Sequence, residues 1–351
     1  MTAIKLSLYA LPIPVAAAWR DTFAASLLAG ALLLCAGRLC AQQEPLLSQY
    51  ALNTLALNPA VAGSKEVVSL QSAYRRQWVG LEGAPSTAWL NAHTPLADDR
   101  IGVGLTLAMD RIGPTRMFHL GTSYAYRIRL NERARLAGGM QVSLDNWYGR
   151  WSSLLVQQQG DGVFAEDLNR WLVNFGAGFL LQHERYFVGL SCPNLAEPLY
   201  RTSELAGLDM PARQYRHLYL SAGIALPVQG EDLVVRPTLL LRRAGVLSRD
   251  QASGQSTASP LGAELGCALI FARSLQLGAA YRGGVWGAGR GINSNALSAH
   301  ATFYSRNGLR MGLAYDMQLN RLRQVAGGSL EVSLGYEFDT VVRRIASPRY
   351  F

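Results

Sequence analysis

The chain has 351 residues, of which 49% are hydrophobic and only 16% charged, with 35 glycines and a formal net charge of +9. A typical soluble chain carries about 25% charged residues, and beyond the N-terminal leader no apolar run approaches the ~20 residues of a helical membrane span. An ordinary soluble domain and a helical membrane protein are both disfavoured, which leaves hydrophobicity spread at short period, as in the wall of a barrel.

The N-terminus has the layout of a signal peptide. Lys5 and Arg20 supply positive charge, Phe23 to Gly37 is an apolar core, and Leu39-Cys40-Ala41 before Gln42 forms a cleavage site. Neither Cys35 nor Cys40 follows the small residues that a lipidation site wants. Removing residues 1–41 takes away Lys5, Arg20, Arg38 and Asp21, so about +7 of the +9 remains. The remaining arginines are scattered through strand-like segments and do not line one helix. Anionic lipid headgroups therefore suit them better than nucleic acid. Cys192 and Cys267 have no metal-ligand spacing and are expected to be free thiols.

Residues 42–64 follow, too polar for a wall strand and rich in turn residues. Asn58-Pro59 initiates a turn, because proline fixes its own φ and pushes the preceding residue out of the α region. Gly63 permits a backbone angle that a Cβ would resist. Two readings stay open: a short plug or turn leading into the first strand, and a docking segment.

From Lys65 onward the pattern alternates with period two. Ile101, Val103, Leu105, Leu107 and Met109 share one face, with Gly102, Gly104, Thr106, Ala108 and Asp110 on the other. Leu309 to Met317 repeats the pattern. It is cleanest in Leu330, Val332, Leu334, Tyr336 and Phe338 against Glu331, Ser333, Gly335 and Glu337. A soluble sandwich would alternate in the same way. A polar face of Gly, Ala, Ser and isolated charges suits a lumen, however, and the aromatic ends of the apolar face suit a membrane girdle.

The expected fold is therefore all-β, a transmembrane antiparallel β-barrel of about 14 strands, of outer-membrane type. The strands are placed near 65–79, 84–96, 100–111, 115–130, 133–148, 171–182, 185–191, 214–227, 231–243, 260–272, 274–287, 294–305, 308–318 and 328–338. The barrel spans 65–338, with a tail at 339–351. Counting from a periplasmic N-terminus puts the tight turns Ala97–Arg100 and Arg306–Asn307 in the periplasm and the long loops 149–170, 192–213 and 244–259 outside, the usual asymmetry of such barrels. Asn307-Gly308 is the strongest hairpin signal, and Phe164 to Arg170 is helix-like. Gly287 to Gly291 lacks the strand–loop–helix context of a phosphate loop.

No constellation carries catalysis. His93, His119, His183, His217 and His300 lack ligand spacing, and serine, histidine and acid could be combined in too many ways to single out a triad. Glu264, Arg282, Arg310, Asp316, Glu331 and Glu337 fall on the lumen face, where buried charges need partners. No enzyme activity, cofactor or metal is expected.

Gln43-Glu44-Pro45-Leu46-Leu47-Ser48-Gln49-Tyr50, with Asn53 and Asn58-Pro59-Ala60-Val61-Ala62-Gly63, closely resembles the N-terminal signature of the PorP/SprF family. The resemblance continues through Tyr74 to Gly80, Gly83 to Thr87, His93 to Leu96, Gly102-Val103-Gly104 and Asp110 to Pro114. It returns at Tyr315-Asp316 and Leu334 to Phe338. The Ser347-Pro348-Arg349-Tyr350-Phe351 tail is similar to the family's Pro-Arg-Phe ending, with Ser347 where the family commonly has cysteine. The resemblance implies an outer-membrane protein of the type IX secretion and gliding machinery of Bacteroidota. Its implied partners are periplasmic ring and scaffold lipoproteins, outer-membrane lipid, and secreted or surface-anchored cargo. Gln49, Tyr50, Asn53, Asn58, Pro59, Gly63, Trp78, Asp110 and Pro114 are the partner-binding candidates drawn from these motifs. The alternative function is a passive porin or hydrophobic-solute transporter of the outer membrane.

Overall fold

The computed structural model describes residues 48–96, 99–152, 167–205, 208–229, 232–248, 258–286 and 295–338. The expected leader, residues 42–47, the stretch 287–291 and the tail 339–351 lie outside the described residues.

Among the described residues, seventeen strands follow three short 3-10 turns. They are β1 (Val68–Arg76), β2 (Ser86–Leu96), β3 (Ile101–Ile112), β4 (Thr115–Arg129), β5 (Ala134–Gly149), β6 (Leu168–His183), β7 (Tyr186–Cys192), β8 (Leu199–Leu205) and β9 (Leu208–Arg213), then β10 (His217–Ile224), β11 (Leu226–Gln229), β12 (Leu233–Ala244), β13 (Leu261–Phe271), β14 (Leu275–Trp286), β15 (Ala296–Tyr304), β16 (Leu309–Gln318) and β17 (Ser329–Phe338). β8 and β9 form a hairpin apart from the wall. β10 and β11 both pair with β12 and are one wall strand interrupted at Ala225. The wall is thus a closed antiparallel barrel of 14 strands, sealed by β1 against β17 and by β10 against both β7 and β12. Closure leaves no sheet edge along the wall for lipid to meet, as a membrane sheet requires.

The burial pattern decides between a sandwich and a membrane barrel. In β17, Glu331 and Ser333 are buried while Leu330, Val332 and Leu334 are exposed, each at about half its surface. β16 does the same, with Asp316 fully buried and Leu313 62% exposed. Water would penalise so much exposed apolar surface. In a bilayer it is the lipid-facing wall, and the protein is an outer-membrane barrel.

Connections at one end are two to four residues long, at 97–100, 130–133, 184–185, 230–232, 272–274 and 305–308. At the other end they are long, apart from the tight Gly113–Pro114 turn. In the 305–308 turn Gly308 sits at φ +87°, as the Asn307-Gly308 pair predicts. The long-loop end differs from the sequence reading in two places. Leu168–Arg170 is strand and not helix, because the alternation of β6 continues upward through Trp171, Val173 and Phe175; Asp167 is not helical either, and 164–166 lie outside the described residues. The loop after β7 carries the β8–β9 hairpin, where composition had suggested irregular chain.

By the usual asymmetry the short-turn end is periplasmic. In a background with Cys192 and Cys267 replaced by serine, a cysteine at Leu247, which is 85% exposed at the long-loop end, should react with an impermeant maleimide on intact cells. One at Arg306 should react only after the outer membrane is permeabilised. The reverse pattern would invert the barrel.

Candidate functional site

The lumen is occupied by the chain's own N-terminal segment. Residues 48–62 form three 3-10 turns, Tyr50–Leu52, Thr54–Ala56 and Pro59–Val61. Asn58 caps the third: its side chain accepts a hydrogen bond from the Ala60 N–H (2.9 Å), and Pro59 takes the first position, where its missing N–H costs nothing. Gly63, at φ +71°, then turns the chain toward β1. Leu55, Ala60, Val61 and Ala62 pack on Ala125, Ala137, Leu180 and Phe187 of the wall, and Tyr50 packs among Ala73, Trp89, Ala108, Tyr219 and Leu240.

The wall is shaped to admit it. A Cβ on Gly102 would strike the Ala62 carbonyl, and one on Gly139 the backbone of Pro59 and Ala60. The segment's polar groups are met around the circumference. Asn58 Nδ2 donates to the Phe179 carbonyl at 2.9 Å, Ser191 Oγ to the Leu57 carbonyl at 2.6 Å, and Arg127 Nη1 to the Ala62 carbonyl at 2.5 Å. Gly63 N–H donates to His93 Nδ1 at 3.1 Å, and Asn91 bonds to Asn53.

Its upper part sits on a buried ion cluster. Arg75 Nη2 lies 2.7 Å from Asp316 and Nη1 3.4 Å from Glu331; Arg282 lies 2.6 Å from Glu264 and 3.3 Å from Asp316. Three carboxylates thus face two guanidiniums, and the segment supplies further donors. The Ser48 and Gln49 N–H groups donate to Glu331 at 2.7 and 3.0 Å, and Ser48 Oγ donates to Asp316 at 2.8 Å. Ser333 Oγ donates to Gln49 Oε1 at 2.9 Å. A small cavity of about 30 Å³ remains between this part of the segment and a wall patch that includes Arg236, Thr238, Glu264, Gln276 and His300.

At the short-turn mouth Lys65 meets Glu337 at 2.9 Å, and Arg135 pairs with Glu66. Burial, aided by the neighbouring Arg310 charge, pushes the Lys65 ammonium down to about 8, against the pull of Glu337. At the long-loop end Glu197 ties two loops together, taking bonds from the Arg216 N–H (3.0 Å) and guanidinium (3.2 Å) and from Ser248. Burial works against the Glu197 charge, yet these bonds hold its carboxyl below the usual range.

The sequence candidates separate into two groups. Gln49, Tyr50, Asn53, Asn58, Pro59 and Gly63 come together inside the lumen. Trp78, Asp110 and Pro114 lie at the long-loop end. Trp78 sits at φ +48° with its N–H 3.3 Å from Ser329 Oγ; Asp110 faces inward and bonds Thr87; the Pro114 carbonyl accepts from the Arg150 N–H at 3.2 Å. The lumen charges do pair, as their face suggests, but the central one, Arg75, was missed. Its signal was only the parity that separates it from the outward Arg76. His119 meets Asp145 at 2.5 Å, while Ser143 bonds that carboxylate and not the imidazole, so the three do not form a nucleophile–base pair. Cys192 and Cys267 are not bridged to each other.

A family model described as type IX secretion system membrane protein PorP/SprF matches residues 39–336. The chain belongs to the PorP/SprF family. Among curated proteins nothing matches. Among solved structures, the TodX monoaromatic hydrocarbon channel (a deletion mutant) is similar at 12% identity and a TM-score of 0.46, covering 81% of this PorP/SprF chain and 94% of its own. The Acinetobacter baumannii outer membrane protein Omp33 is similar at 5% identity and a TM-score of 0.44, covering 78% and 98%. A Pseudomonas aeruginosa FadL homologue is similar at 12% identity and 0.41, covering 78% and 90%.

Proposed function

We propose that this PorP/SprF protein serves type IX secretion as a surface platform that retains or anchors cargo, and that it acts without catalysis and without passing cargo through its own lumen. The observation that carries this reading is the occupied lumen: a segment seated on buried ion pairs and bonded around the wall leaves no route for a polypeptide. Binding then belongs to the ends, where loops are held by a rigid scaffold. The Glu197–Arg216–Ser248 clasp orders the loops that carry the exposed Leu195 and Leu247. Periplasmic ring and scaffold lipoproteins would meet the opposite end, where Lys65 and Glu66 of the N-terminal segment reach the mouth. A part in gliding belongs to the same proposal.

The test is a Leu195→Asp/Leu247→Asp double variant in the native host. Cargo should shift from the cell surface to the medium while barrel abundance stays constant. Unchanged cargo distribution, together with solute flux through the wild-type protein in liposomes, would favour the passive pore instead.

A further inference from the structure

The outer wall ends, on one side, in a row of arginines. Every outward position of β3 from Ile101 to Met109 is apolar, and those of β4 from Ile128 to Phe118 are apolar except Thr122. The next outward residues toward the long-loop end are Arg111 and Arg116, directly opposite each other in the β3–β4 ladder. Arg111 also pairs with Ser86, and Ser86 with Arg76, which stands above the exposed Tyr74 on β1. The row Arg76–Ser86–Arg111–Arg116 therefore presents three exposed arginines across four neighbouring strands, with Cβ atoms ~5 Å apart at the Arg111–Arg116 step.

Like charges facing each other across a ladder are destabilising unless something of opposite sign lies between them. Among the described residues no carboxylate pairs with any of the three. The neighbouring Asp110 is turned into the lumen, where it bonds Thr87, and the exposed Glu82 on the β1–β2 connection bonds none of them. The row lies where the apolar band stops, which is the level of the outer-leaflet headgroups. Guanidiniums match phosphate oxygens in bidentate geometry.

We propose that Arg76, Arg111 and Arg116 form a binding site for the phosphate groups of an outer-leaflet lipid. The apolar wall below them, with Tyr74, Met109 and Phe118, takes the acyl chains. The site fixes one face of the barrel against the lipid, on the side of β1–β4.

The test compares wild type, Arg111→Gln/Arg116→Gln and Arg111→Lys/Arg116→Lys in nanodiscs, with retained lipid measured by native mass spectrometry. Diphosphorylated lipid A, the same lipid dephosphorylated, and inorganic phosphate are the probes, and a heat-modifiable gel band shows that each variant is a closed barrel. The wild type should retain phosphorylated lipid A, the glutamine pair should bind it roughly thirtyfold more weakly, and the lysine pair should keep most of the binding. An Arg243→Gln control, on β12, should match wild type. Equal retention by the glutamine pair, or equal retention of the dephosphorylated lipid, would overturn the site. Displacement of the lipid by millimolar inorganic phosphate would make it a site for free anions instead.

Discussion

Deleting residues 48–62 is expected to convert a closed barrel into an open pore. The wall does not depend on the segment for its ladders: β1 pairs with β2 and β17 through its own backbone. A barrel of 14 strands lies between the ~8-stranded barrels that side chains can fill and the 16–18-stranded porins that hold water. Its inner face, rich in Gly, Ala and Ser, cannot fill the space that the segment occupies. The deleted protein should still run as a heat-modifiable band but show stepwise conductance in planar bilayers, against a quiet wild-type baseline. A variant that stays silent would mean that the loops close the lumen independently. If the platform reading holds, cargo attachment should survive the deletion better than the permeability barrier does.

Arg75→Met tests the seat of the segment without removing it. Arg75 is 1% exposed and answers both Asp316 and Glu331. Methionine fills similar volume but leaves Asp316 with Arg282 and the Ser48 hydroxyl, and Glu331 with only the N–H groups of Ser48 and Gln49. Breaking a buried pair by removing one partner costs about 3–5 kcal/mol. The expected result is a lower thermal midpoint for barrel unfolding together with intermittent conductance as the segment unseats. Glu331→Gln in the same chain removes the stranded charge while an amide oxygen still accepts from the backbone, so it should recover part of the loss. Failure of the second change to compensate would place the role of Arg75 in packing and not in charge.

The strands were legible because period two survives in nearly every wall segment, and the lumen face because isolated charges fall on it. Arg75 was not legible for a reason of the same kind. Arg75 and Arg76 are chemically identical neighbours, and only the register of β1 sends one into the ion cluster and the other to the lipid-facing surface. The β8–β9 hairpin was hidden by Pro211 and by charged residues that interrupt its alternation. The N-terminal segment posed the hardest problem. Its 3-10 turns have no face that a pattern search can read, and nothing in Asn58-Pro59 or Gly63 says whether the turn they build stands in water or against Gly139 and Phe179. That depends on wall residues far along the chain, such as Phe179, 121 positions from Asn58.

The ion cluster also constrains how the molecule is made. Ser48 and Gln49, at the start of the described chain, bond to Glu331 on the last strand, 283 and 282 positions away. Their seat does not exist until β17 has arrived beside β1. Threading a segment into a finished cylinder is costly, so the wall is expected to wrap around the segment, with the final seam closing and the seat forming in one step. The assembly machinery that delivers such a chain must therefore keep the first and last strands apart, with residues 48–62 held between them, until the C-terminal hairpin is in place. An intermediate stalled before that moment would have an open seam and an empty seat together, and quality-control proteases would find both defects in the same molecule.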